Sequence, residues 1–269
     1  MKSRTHRKRY KRKTSIKSKA KHKKYMRGGG AVSQRSIPIF IISWNQHTYV
    51  KSMIDQLKKY PDLTIYIIDN KSTYEPLVAY LKEIDGKNGV KVLYQDKNYG
   101  HKVYEEPHLI KFIDELGVNY YVVTDPDLKL NDKMPANFLE VMAQLSDKHK
   151  KNKTGLALDL KNNIDMDRRL KSDGNKKITD IEDPYWTKRI EDDKYEIYDA
   201  PVDTTFSLIN KQHRKVGDLE SSMRIAGDFT AVHKPWLKNF RDELAPGELD
   251  FYLNNKDNKS TTINMWNHV

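Results

Sequence analysis

The sequence predicts an α/β domain built on a mostly parallel central sheet. Three observations carry this. Short apolar runs of strand length alternate with segments whose apolar residues recur at helical spacing, four times between residues 37 and 145. The runs are apolar at almost every position, as expected of strands covered on both faces. Each run is joined to the next by a helix-length crossover, which parallel pairing requires.

Ile37–Ser43 is the first run and reads as a buried strand. Val50, Met53, Ile54 and Leu57 then lie on one helical face, and Pro61-Asp62 ends that helix. Leu63–Ile68 is the second strand. Leu77, Val78, Leu81 and Ile84 mark the second helix, Gly86–Gly89 a turn, and Val90–Tyr94 the third strand. Leu109, Ile110, Ile113 and Leu116 mark the third helix, Tyr120–Thr124 the fourth strand, and Phe138, Leu139, Met142 and Leu145 the fourth helix. Gly155–Asp159 reads as a further buried strand. Residues 161–194 are rich in Asn, Asp, Lys and Arg, with Tyr185 and Trp186 isolated among them. A polar excursion of that length in a compact domain is usually functional or mobile. Asp203–Ile209 reads as a strand entering from Ala200-Pro201, and Ile225–Val232 as another, followed by His233-Lys234-Pro235-Trp236.

Charge divides the 269 residues unevenly. The net charge is +12, yet residues 1–27 hold 14 Lys/Arg and no acid, so the remainder carries 35 basic and 37 acidic residues. Residues 1–27 cannot collapse against their own repulsion, and Gly28-Gly29-Gly30 makes a flexible link. The expected organisation is a basic tail over 1–30 and one domain over 31–269. The tail is expected to contact a polyanion, with strong salt dependence. A nucleic-acid-binding globular domain is disfavoured, because the core is near neutral. The absence of cysteine excludes disulfides, thiolate zinc sites and cysteine nucleophiles. The longest apolar run, near Ile37–Trp44, is far shorter than the roughly 20 residues of a membrane span. A soluble, cytoplasmic protein is expected.

In open parallel sheets ligands bind beyond the carboxyl ends of the strands. Those ends are Ser43-Trp44-Asn45, Asp69-Asn70, Asp96 to Gly100 and Asp125-Pro126-Asp127. Three of the four carry an acid. The first turn has no glycine, which excludes a dinucleotide fingerprint and a Walker loop. Two carboxylates one residue apart, leaving a strand, can both face one hard cation, and magnesium or manganese would bridge them to a diphosphate. Asp69-Asn70 has a plainer reading as an Asx turn, and His233 as a histidine packed beside Pro235-Trp236.

The stretches Ile39–Asn45, Tyr66–Ser72, Asp96–Gly100 and Tyr121–Leu128 together resemble the GT-A fold of nucleotide-diphospho-sugar glycosyltransferases, and family-2-like members in particular. The resemblance covers residues 37–145 well and the C-terminal half less securely. It implies a metal-dependent glycosyltransferase, inverting, that takes a UDP- or GDP-sugar and passes the sugar to a glycan, lipid or protein acceptor. It implies that Ser43, Trp44 and Asn45 border the base, that Asp69 recognises base or ribose, and that Asn98 and Gly100 lie beside ribose and sugar. Asp125 resembles the first acid of the DxD motif, contacting donor and metal, and Asp127 the direct metal ligand. A late histidine often completes such a site, and His233 is placed for it. Asn70 departs from the family's commonest second-strand ending. An acid is needed to deprotonate the acceptor. Candidates are Glu182, Asp183, Glu191, Asp192, Asp193, Asp203 and Asp228, and Asp203 is favoured because a strand start holds it rigidly. The Glu191–Asp193 run is otherwise a solvated turn. A haloacid-dehalogenase-type phosphotransferase would carry its Asp-x-Asp after the first strand, and a nucleotidyltransferase would need a Gly-rich basic first loop. A catalytically inactive sugar-nucleotide fold, or a protein acting through its tail, is the alternative.

Overall fold

The apolar alternation produces its strands and helices in the predicted order. The structure, a computed structural model, describes residues 36–161, 163–170, 174–213 and 221–256; the tail expected over residues 1–30 lies outside the described residues. The first half runs β1 (Ile39–Ser43), α1 (His47–Leu57), β2 (Ile65–Asp69), α2 (Glu75–Ile84), β3 (Val90–Tyr94), α3 (Pro107–Glu115) and β4 (Tyr120–Thr124). Then come β5 (Leu128–Leu130), α4 (Phe138–His149) and β6 (Lys153–Leu158). The polar excursion contributes β7 (Arg169–Leu170), β8 (Lys176–Lys177), α5 (Ile178–Glu182), β9 (Arg189–Ile190) and β10 (Ile197–Tyr198). The chain closes with β11 (Ser207–Asn210), β12 (Ser222–His233) and α6 (Glu248–Asn254).

The main sheet has the order β3-β2-β1-β4-β11-β6-β12-β10-β9, with β5 paired to β12. β1 to β4 pair in parallel among themselves, and β12 is parallel to β6. β11 opposes both β4 and β6. Six strands therefore deliver their carboxyl ends to one edge of the sheet. Alternate residues of β1 serve opposite faces. Ile39 and Ile41 join Met53, Ile54 and Leu57 of α1 and Phe138 and Met142 of α4 in the larger core. Phe40 and Ile42 join Leu109 and Ile113 of α3 in the smaller one. Among the described residues no helix is long and apolar enough to cross a membrane.

Two boundaries differ from expectation for local reasons. β2 begins at Ile65, because the chain is still leaving the turn at residues 61–62, where Asp62 has φ +58°; Leu63 packs against the next turn, where a Cβ at Gly89 would lie 2.6 Å from its carbonyl oxygen. The strand expected from Asp203 begins only at Ser207, since residues 204–206 form a bend in which Phe206 has φ +51°. That conformation is unfavourable for an aromatic residue. It is held by full burial of the ring, 5.7 Å from Phe138. The segment before this bend lies on β6. A Cβ added at Gly155 would meet Cγ1 of Val202 at 2.4 Å, and a β-branched side chain has little rotamer freedom to yield. Gly155→Ala is therefore expected to cost about 1–3 kcal/mol by overpacking, read as a lowered melting temperature. Val202→Ala in the same chain should return part of it, and an unchanged melting curve for Gly155→Ala would contradict this packing.

Candidate active site

β1 leads outward to β2 and β3, while β4 lies on its other side, so the strand order reverses between β1 and β4, the point at which open α/β sheets bind their ligands. Asp125-Pro126-Asp127 leaves β4 at that point. The Asp125 N–H donates to the Thr204 carbonyl at 2.9 Å, and the Thr204 hydroxyl donates to Asp125 Oδ2 at 2.5 Å. The bend at 204–206 thus carries Asp203 to Asp125. Asp203 itself is exposed.

Asp127 is buried, and the chain turns back from it as β5, antiparallel to the end of β12. This register sets His233 opposite Leu128, leaving His233 Nε2 3.4 Å from Asp127 Oδ2. The Lys234 N–H donates to the Asp127 carbonyl at 2.8 Å. β5 has three residues and is braced from the other side by Gln56 of α1. Its Nε2 donates to the Leu128 carbonyl at 3.0 Å, and its Oε1 accepts the Leu130 N–H at 2.7 Å. Gln56 was not among the residues singled out from the sequence; a polar residue beside buried Leu57 was its only signal.

The electrostatics follow from this crowding. Burial and then the neighbouring Asp127 push the Asp125 carboxyl upward, against the Thr204 hydrogen bond; Asp203 adds to the rise. Burial disfavours the charged form of His233, but Asp127, Asp125 and Glu182 outweigh it and the net shift is upward. Asp127 Oδ1 and His233 Nδ1 are buried without a hydrogen-bond partner. The His233 ring also packs 4.7 Å from Trp236, so the packed and the site-forming readings of this residue are realised together. Among the described residues no group of three or more acid or histidine side chains stands close enough to hold a metal ion. The expected trio of Asp125, Asp127 and His233 is thus present as an assembled pair, Asp127 with His233, while Asp125 turns to Thr204.

At the carboxyl ends of β1, β2 and β3 the polar residues bind one another. Asn45 Oδ1 accepts the N–H groups of Thr73 and Tyr74 at 2.7 and 2.9 Å, and the Asn45 N–H donates to Ser72 Oγ at 2.9 Å. Asp69 accepts the Ser72 N–H through both oxygens, at 3.3 and 3.2 Å, as an Asx turn would, and burial pushes its carboxyl upward. Asn70 donates to the Gly100 carbonyl at 3.1 Å, and Asn98 Oδ1 accepts the Gly100 N–H at 2.8 Å. Ser43 is buried, and Trp44 turns into the core against Tyr252 of α6, with ring centres 5.2 Å apart. Asn45 is fully buried as well, so this stretch presents almost no surface to a ligand.

The other candidate bases divide by environment. Glu182 is buried in an ion pair with Arg224 at 2.6 Å. Asp183, Glu191, Asp193 and Asp228 are exposed. Asp192 corrects the reading of its run as a solvated turn, since its side chain is 2% exposed. It accepts from Lys148 at 2.8 Å and from the N–H groups of Lys194 and Tyr195 at 3.0 Å, with His149 at 3.2 Å. The Lys148 hydrogen bond is the largest cause that holds its carboxyl well below the usual range. A depressed carboxylate contributes stability that is present above its unfolded pKa, about 3.9, and lost as pH falls below it. Asp192→Asn should therefore melt lower than the parent chain at pH 7, with the gap narrowing below about pH 4. A gap that stays constant to pH 3 would contradict this.

No protein-family model matches the chain, and no curated protein matches it in sequence. Among solved structures the chain is similar to several glycosyltransferases. The mannosyltransferase PcManGT of Pyrobaculum calidifontis, in complex with GDP-Man and Mn2+, is 12% identical with a TM-score of 0.35, over 46% of this chain and 35% of its own. The galactosyltransferase LgtC, in complex with donor and acceptor sugar analogues, is 11% identical with a TM-score of 0.32, over 66% and 60%. The bifunctional glycosyltransferase WbbM is 13% identical with a TM-score of 0.34, over 66% and 32%. This chain spans less than two thirds of the length of each.

Proposed function

We propose that the chain transfers a sugar from a nucleotide-diphospho-sugar to an acceptor hydroxyl, with inversion and with a divalent cation, manganese or magnesium. One observation carries this reading. Asp125-Pro126-Asp127 stands at the carboxyl end of β4, where the strand order reverses beside β1, and His233 is brought against Asp127 from the far end of β12. Asp127 Oδ1 is buried without a hydrogen-bond partner, and a carboxylate with an imidazole brought against it are donor types that a divalent cation takes. A cation held there would neutralise the departing diphosphate as a Lewis acid.

The chain's own groups have separate tasks. Asp125, fixed by Thr204, faces ribose or sugar. Asp69, steadied by the Ser72 N–H, contacts ribose or base through its remaining lone pairs. Asn70 and Asn98 hold the Gly100 loop against the donor. Asp203, exposed beside Asp125, accepts the acceptor's hydroxyl proton as the new C–O bond forms and the bond from the anomeric carbon to the phosphate oxygen breaks. The basic segment 1–27 adds a salt-sensitive contact with a polyanion.

Calorimetry of the full chain with UDP and with GDP, with and without manganese chloride, tests the reading. Manganese-dependent binding of at least one nucleotide is expected. Binding of neither, with manganese present, withdraws it.

A further inference from the structure

The pair of Asp127 and His233 is backed by a closed ring of hydrogen bonds, and the reaction as proposed uses none of the side chains that close it. β5 has three residues, Leu128–Leu130, and both of its edges are bonded. Toward β12, the Asp127 carbonyl accepts the Lys234 N–H at 2.8 Å, and the Asn131 N–H donates to the Thr230 carbonyl at 3.0 Å. On the opposite edge the partner is a single side chain. Gln56 Nε2 donates to the Leu128 carbonyl at 3.0 Å and Gln56 Oε1 accepts the Leu130 N–H at 2.7 Å, as the peptide unit of a neighbouring strand would.

Ser52 lies one turn before Gln56 on the same side of α1. Its hydroxyl accepts from Lys234 Nζ at 2.9 Å. Lys234 is itself buried and also pairs with Glu243 at 3.1 Å. The path is therefore closed. It runs from Gln56 through Leu128 to Asp127, across the Lys234 N–H to the end of β12, and along the Lys234 side chain to Ser52. One turn of α1 completes it, where Gln56 Nε2 also reaches the Ser52 carbonyl at 3.3 Å. Asp127 and His233 are the chain neighbours of the two points held, Leu128 and Lys234.

We propose that Ser52 and Gln56 are positioning residues: α1 clamps β5 and the end of β12 at the spacing that lets Asp127 and His233 meet one divalent cation. Two points favour this over plain packing. Val50, Met53, Ile54 and Leu57 already anchor the buried face of the same helix. Binding groups must also be held to within about 0.5 Å of their productive geometry, and a three-residue strand bonded on one edge alone would leave Asp127 free to drift. A fully satisfied polar network makes rigid what it joins. The contacts stand by themselves; their meaning for a cation rests on the transfer reading above.

Two measurements on the full chain test the clamp. One is a manganese chloride titration followed by electron paramagnetic resonance of the free ion. The other is the imidazole NMR signal of His233 without metal, identified by its loss in His233→Asn. Gln56→Met nearly keeps the side-chain volume and removes both bonds to β5. It should raise the manganese concentration at half-occupancy about 10- to 100-fold, as loss of outer-shell partners of metal ligands does, and shift the His233 signal. Ser52→Ala removes only one partner of Lys234, which keeps Glu243, so it should fold as the parent does and raise the same midpoint by a smaller factor. Leu81→Ala, in the buried face of α2, should lower the melting temperature and leave both readouts at their parent values. The clamp is overturned if Gln56→Met and Ser52→Ala each match the parent in both readouts, or if Leu81→Ala moves them as far as Gln56→Met does. Manganese uptake by the parent together with either result would leave the cation reading standing. A His233 signal that shifts in Gln56→Met, when the parent takes up no manganese, would keep the clamp and remove the cation reading.

Discussion

Replacing Asp127 by Asn is expected to abolish manganese-dependent binding of UDP or GDP while the fold persists. Asp127 is buried beside His233, and its Oδ1 has no hydrogen-bond partner. A neutral amide is a poor ligand for a hard cation, so the loss should be at least about a hundredfold, since even outer-shell partners of metal ligands cost 10–100-fold. Asparagine has nearly the same volume and can still accept from His233 Nε2, so the melting temperature should stay close to that of the parent. Asp203→Asn is the companion experiment. Asp203 is exposed and makes no proposed contact with the cation, so this variant should bind nucleotide normally and lose turnover. Calorimetry on both proteins with manganese decides. Unchanged affinity in Asp127→Asn would sink the ligand role, and weakened nucleotide binding in Asp203→Asn would move Asp203 into the donor site.

The largest stability effect is expected from Arg224→Met. Arg224 and Glu182 are both buried, with side-chain exposures of 6% and 7%. Burial already pushes the Glu182 carboxyl upward, against the attraction of Arg224. Removing one partner of a buried pair leaves an uncompensated charge and costs about 3–5 kcal/mol. For a domain of this size that corresponds to a fall of roughly 6–20 °C in melting temperature. An acid whose folded pKa is raised loses stability as pH rises, because the folded state holds the proton more tightly. The defect should accordingly be larger at pH 8 than at pH 5. Replacing both partners, Arg224→Met with Glu182→Leu, should recover most of the loss. A single variant that melts with the parent would show that the pair does not hold the excursion to β12.

The parts of this protein legible in sequence are those with a short-range cause. Four strands and four helices between residues 37 and 145 follow from apolar periodicity, which records which faces are buried. Helix α6 was not legible. It has seven residues, and its docking depends on Glu248 accepting the Thr48 N–H at 2.9 Å and the Thr48 hydroxyl at 2.5 Å, two hundred positions away. The three residues of β5 were equally silent, because their pairing with β12 and their bracing by Gln56 are both long-range.

By itself the sequence determined the α/β class, the sheet edge where polar strand ends gather, and the placement of Asp125 and Asp127 at the fourth of them. Those properties depend on residue type and order alone. Only the tertiary structure decided which of the candidates meet. It set His233 against Asp127 through the β5–β12 register, carried Asp203 to Asp125 through the Thr204 bend, and committed Glu182 to Arg224 and Asp192 to Lys148. The physical reason is that an acid's role is set by its surroundings. Burial, a cation within hydrogen-bond reach or an opposed carboxylate distinguishes one aspartate from another, and those neighbours arrive from segments tens to hundreds of residues apart.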